Sequence, residues 1–118
     1  MQPEITLRLR EFHAVFEPEM VNDIIAAFVF DARRRLNRLR ARLLAGDTFG
    51  LAREAHGLKG SCQNMGARSL GDLCQRLEEL AAPTQAAAWP AIFAELEQGL
   101  APVLKDLEAA MQFEEQLA

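Results

Sequence analysis

Apolar side chains recur at Val21, Ile24, Ile25, Phe28, Ala32, Leu36, Leu39 and Leu43. That is close to a 3.6-residue period over about seven turns, which predicts one long bundle helix. Pro18 suits its first turn, where a missing N–H does no harm, and Phe16 ahead of it is placed to pack on Val21 as a staple. The pattern stops at Ala45-Gly46, with Gly46 as the C-terminal cap and arginines near the C-terminal dipole. Asp47 and Thr48 then offer an N-cap. The next stripe is Leu51, Ala55, Leu58, Cys62 and Met65, all within about 40° of one line at 100° per residue. A tight turn at Gly66 follows. Leu70, Leu73, Cys74, Leu77, Leu80 and Ala81 make a third stripe, with Asp72, Arg76, Glu78 and Glu79 mostly opposite, and Pro83 closes it. Thr84 to Ala88 is expected to be a helical turn, and Trp89-Pro90 opens a last helix buried along Ile92, Phe93, Leu96, Leu100, Val103, Leu107 and Met111. Pro102 inside it is expected to kink it. Near the start, Ile5, Leu9 and Phe12 predict a short amphipathic helix from Ile5 to Phe12, with His13 in the connection after it.

Short connections make neighbouring helices antiparallel. The predicted fold is all-α: an up-down-up-down four-helix bundle with a short N-terminal capping helix, one domain over residues 1–118. No strand pattern or internal repeat competes with it.

Composition narrows the classes. Half of the 118 residues are hydrophobic, enough for a core, yet no run approaches the roughly 18 apolar residues of a membrane span. Met1 to Arg10 has no signal-peptide pattern, so a cytoplasmic location is expected. Cys62 and Cys74 lie on apolar faces and read as buried free thiols. Counting from the turn at Gly66 sets Cys62 opposite a position nearer Gly71 than Cys74, which argues against a disulfide. A net charge of −4 argues against nucleic-acid binding. The basic residues are nonetheless concentrated. Arg33, Arg34, Arg35, Arg38, Arg40 and Arg42 fall within one ten-residue segment, and equal counting from the turn at Gly46 sets the Arg35 to Arg38 stretch level with position 56. Arg34, Arg35 and Arg38, together with Gly57, are therefore candidates for docking an acidic partner.

The candidate chemistry centres on His56, which points about 140° away from the stripe begun by Leu51. Lys59 and Gln63 share its side of the helix. Gly57 and Gly60 each cost about 1 kcal/mol relative to alanine inside a helix. Gly60 beside an outward histidine gives clearance for another molecule.

His56-Gly57-Leu58-Lys59-Gly60, followed by Gly66, resembles the His-x-x-Lys-Gly signature of histidine-containing phosphotransfer (HPt) domains. The resemblance runs from about Leu9 through the Gly46-Asp47 turn to Leu80. It implies a small helical bundle that relays a phosphoryl group to and from aspartates of receiver domains, in response regulators or hybrid histidine kinases. His56 would be the phosphoacceptor, Lys59 the cation beside it, Gly60 the clearance residue and Gln63 a polar neighbour. An exposed, unpaired imidazole is largely neutral near pH 7, its reference pKa being about 6.5, so one nitrogen has a lone pair for phosphorus. The motif supplies no metal ligands and no carboxylate base. The expectation is a phosphocarrier without an ATP site or cofactor of its own, with Mg2+ and the acceptor aspartate on the receiver.

Other classes fit less well. A histidine-kinase dimerisation helix would have an acidic residue just after the histidine and a proline a turn later, where this chain has Gly57 and Gly60. No phosphate-binding loop is present for a kinase. A carboxylate-bridged metal bundle wants Glu-x-x-His pairs, but position 53 is Arg53, and Glu54 is expected to point elsewhere. The remaining alternative is a scaffold of the same shape that docks a receiver or a partner helix without being phosphorylated. A monomer is expected, although Val29 and Phe30 suggest an exposed apolar spot.

Overall fold

The computed structural model describes residues 1–117, with side chains through residue 111. Among the described residues there are five α-helices: α1 (Pro3–Val15), α2 (Pro18–Ala45), α3 (Thr48–Met65), α4 (Arg68–Glu79) and α5 (Trp89–Leu117), with a 3-10 segment at Pro83–Ala88 before α5. Helices α2 to α5 form the bundle. Each packs on the next, α5 returns to α2, and α1 lies across α2 and α3 as the cap. Helix α1 begins and ends a little outside the Ile5 to Phe12 expectation, and His13 falls in its last turn.

The turns follow from glycine. Gly46 and Gly66 sit at φ 67° and 85°, the left-handed region that other residues enter at a cost. In both turns the following residue's N–H reaches back to close the helix: Asp47 to the Arg42 carbonyl at 2.9 Å and Ala67 to the Cys62 carbonyl at 2.8 Å. Asp47 Oδ1 accepts the Gly50 N–H at 2.9 Å and starts α3. At the other end, the buried Trp89 donates its indole N–H to the Leu80 carbonyl at 2.7 Å, fastening the start of α5 to the end of α4.

The core takes Val21, Ile25, Phe28, Ala32 and Leu39 from α2, the whole predicted α3 stripe, Leu70, Cys74 and Leu77 from α4, and Leu96, Leu100, Val103 and Leu107 from α5. Ile5 of α1 is fully buried, with Leu9 and Phe12 packed on the edge. One expectation needs correction. Val29 is buried rather than exposed; only Phe30 stands out, 69% exposed, with the Arg34 guanidinium 5.9 Å from its ring centroid. Phe16 rests against Phe12, ring centroids 6.3 Å apart. Helix α5 runs continuously past the exposed Pro102. Cys62 and Cys74 are free and buried, as expected, and a Cβ at Gly71 would lie 3.9 Å from the Cys62 Cβ, the position that counting from the turn set opposite it. The neighbouring Cys62 thiol and burial push the Cys74 thiol well above its ordinary range. Among the described residues no helix is long and apolar enough to cross a membrane.

Candidate functional site

Burial of the Leu51, Ala55, Leu58, Cys62 and Met65 stripe fixes the rotation of α3, and that rotation turns His56 outward. Its side chain is 67% exposed. The ring is not unpaired, however. Its Nδ1 lies 3.0 Å from Glu78 Oε2, and Lys59 Nζ donates to the other oxygen of the same carboxylate, also at 3.0 Å, and to Gln75 Oε1 at 2.8 Å. Glu78 and Gln75 come from α4, which runs antiparallel to α3 and reaches back alongside it. The expectation of a histidine without a carboxylate is thus overturned: Glu78 bridges His56 and Lys59.

That bridge fixes proton positions. An ionised carboxylate only accepts, so the shared proton sits on His56 Nδ1 and the lone pair is left on Nε2. Nε2 has no hydrogen-bond partner among the described residues. Burial alone would raise the Glu78 pKa. The hydrogen bonds from Lys59 and His56 outweigh burial and hold the carboxyl below its usual range. Lys59 has three donors, and two are engaged.

The two glycines beside the histidine differ. A Cβ built at Gly60 meets no atom within 4 Å, so this side of His56 is open. A Cβ at Gly57 would run into the guanidinium of Arg35. Gly57 is therefore a seat for an arginine of α2 rather than a bare docking surface.

The predicted docking arginines are largely engaged within the molecule. Arg34 donates to Asp31 at 2.6 Å. Arg35 spans Asp31 at 3.0 Å and Glu54 at 3.2 Å, and Arg38 lies 3.7 Å from the other Glu54 oxygen. Glu54 is only 5% exposed and directed into this cluster, where it neutralises charge. Ser61 adds its hydroxyl 3.2 Å from Asp31. For Asp31, burial pushes the pKa up, but the hydrogen bonds from Arg34 and Arg35 prevail and lower it. The level of Arg35 beside α3 is as expected from counting along the chain; its partner was missed, although Glu54 lies only about 60° from Leu51 and so on the margin of the buried stripe.

Gln63 is exposed two turns from His56 and makes no hydrogen bond to it. It lines a separate polar cleft with Glu4, Arg8, Arg68 and Asp72. Gln75 of α4 is the amide that joins the site.

A helical bundle whose α3 presents an outward histidine, with a lysine a turn away and a bare glycine beside it, has the architecture of a phosphotransfer bundle. The family model of the Hpt domain matches residues 23–115, and the chain belongs to that family. Hpt domains are phosphotransfer modules of phosphorelays, not kinase catalytic domains, and that is the role of this one. The crystal structure of histidine-containing phosphotransfer protein B (HptB) from Pseudomonas aeruginosa PAO1 superposes with a TM-score of 0.86 at 32% identity, covering 95% of this chain and 97% of that one. No curated protein matches the chain.

Proposed function

We propose that His56 is the phosphoacceptor and that the chain takes a phosphoryl group from the aspartyl phosphate of one receiver domain and passes it to another. The observation that carries this reading is the Glu78 bridge: it holds the Nδ1 proton of an exposed imidazole and leaves Nε2 as the nucleophile. In the forward step the Nε2 lone pair attacks phosphorus. The P–O bond to the aspartate breaks, its electron pair remains on the aspartate carboxylate, and an N–P bond forms. The ring then carries a positive charge with Nδ1–H still directed at Glu78, which offsets it. Lys59, with a donor to spare, is the cation for the phosphoryl oxygens. Gly60 leaves room for the incoming protein. Reversal returns the group to an aspartate.

The donor or acceptor is a receiver domain of a response regulator or hybrid histidine kinase, and the Mg2+ that phosphoryl chemistry requires belongs to that receiver. Incubation with a phosphorylated receiver domain tests the reading. Wild type should acquire an acid-labile phosphate and His56→Gln should acquire none. Binding of both proteins with no label on either would leave a docking scaffold instead.

A further inference from the structure

Phe49, Arg53, His56 and Gly60 follow one another at i, i+4, i+7 and i+11 along α3, within about 60° at 100° per residue. Phe49 is 73% exposed, and the guanidinium of Arg53 lies 5.1 Å from its ring centroid, a cation–π arrangement that orients both side chains. Arg53 differs from the arginines of α2. Arg33, Arg34, Arg35, Arg38, Arg40 and Arg42 are each held by a carboxylate, whereas Arg53 has no carboxylate partner among the described residues. Its charge is available to another molecule.

Phe49 lies about 10 Å along the helix from His56, seven residues at 1.5 Å each. A small transient interface covers up to about 600 Å² per partner, a disc of roughly 14 Å radius, so a protein seated over His56 reaches this distance. Charge selects the direction. On the α4 side of His56 the Lys59 charge is already met by Glu78, and Glu79 adds a further carboxylate beside Gln75. Toward the N-terminus of α3 stands Arg53, with the half-exposed Arg38 behind it. A receiver's phosphorylation pocket is built from carboxylates, so it is drawn to the Arg53 side.

We propose that Phe49 and Arg53 continue the His56 face into a docking strip for the receiver domain, with Phe49 entering an apolar recess and Arg53 meeting a carboxylate at the rim of the receiver's pocket. The proposal rests on the reading of His56 as phosphoacceptor, and two phosphoryl donors separate the two claims. Phosphoramidate needs no protein docking: its P–N bond breaks, ammonia leaves, and the phosphoryl group joins Nε2. A phosphorylated receiver domain that serves the wild-type chain needs docking as well.

Phe49→Ala and Arg53→Ala should label from phosphoramidate at the wild-type rate. With the receiver as donor, each should raise KM about tenfold, since aromatic and arginine anchors dominate small interfaces. Arg53→Ala should also flatten the dependence of KM on salt. Wild-type KM in both variants overturns the strip. Slowed labelling from phosphoramidate overturns it too, because the residues would then act on His56 itself. A wild-type chain that takes label from neither donor overturns the phosphoacceptor reading, and the strip with it.

Discussion

The two flanks of α3 use the same kinds of side chain to opposite ends. Toward α2, Arg34, Arg35 and Arg38 meet Asp31 and the buried Glu54, and the guanidinium of Arg35 fills the space over Gly57. Every charge there has a partner. Toward α4, one carboxylate serves both His56 and Lys59, the imidazole stays exposed, and Nε2 and one lysine proton remain unspent. Saturated charge makes a clamp; unsaturated charge leaves a lone pair and a donor open to another molecule. The sharpest way to break this comparison is to remove the central carboxylate from each side.

Glu54→Ala carries the largest expected loss of stability. Deleting this buried carboxylate leaves Arg38 without a carboxylate partner among the described residues and Arg35 with Asp31 alone, a loss of about 2 kcal/mol on the scale of hydrogen bonds to charged groups. Urea unfolding should show that loss, with transfer from a receiver little changed once the protein is folded. Glu78→Ala should do the reverse. Its side chain is 29% exposed, so stability should hold nearly constant, while phosphoryl acceptance by His56 falls about tenfold as the ring loses its fixed tautomer, an effect in the range seen for partners that orient a histidine. Lys59→Ala should also slow transfer more than it lowers melting temperature. Equal transfer rates in Glu78→Ala and wild type would show that the bridge is incidental.

A finer contrast lies within three residues of sequence. Gly57→Ala and Gly60→Ala both gain helix propensity of about 1 kcal/mol. At position 60 nothing opposes that gain, so the melting temperature should rise, while a bulky Gly60→Leu should obstruct the receiver. At position 57 the methyl group displaces Arg35 from Glu54, and the lost pairing should exceed the gain. The same substitution is thus expected to stabilise one site and destabilise the other by thermal unfolding; two changes of equal sign would contradict the division of labour between the flanks.

Much of this was readable from the chain because periodicity is local. The α3 stripe decides which way His56 points, and five apolar positions are enough to set it. Gly46 and Gly66 announce their turns through a conformation other residues avoid. Arg35 could even be placed level with the middle of α3 by counting outward from Gly46. What periodicity does not contain is the reach of long polar side chains between helices. Glu78 was legible as an outward residue of α4 but not as a partner of His56, since that depends on the stagger of α3 against α4. Glu54 lay on the edge of its stripe, where 60° separates a core position from a solvent one, and the arginines opposite decided the matter. Val29 and Phe30 differ by a single residue and 100°, and only the position of α5 tells which is covered.

The smallest expected effect concerns acid. The folded-state pKa of Glu78 is lowered because the hydrogen bonds from Lys59 and His56 overcome the cost of burial. A carboxylate with a depressed pKa adds stability above its unfolded value, about pH 4.3 for glutamate, and that stability is lost as the pH falls through the folded value. The stability difference between wild type and Glu78→Gln should therefore be constant above about pH 5 and shrink below it. Asp31, lowered chiefly by Arg34 and Arg35 against its own burial, should behave in the same direction in Asp31→Asn, at still lower pH because aspartate starts near 3.9. If the wild-type and Glu78→Gln unfolding curves instead diverge further on acidification, the carboxylate is not held by its two cations in solution, and the bridge that fixes the proton on His56 Nδ1 is not formed there.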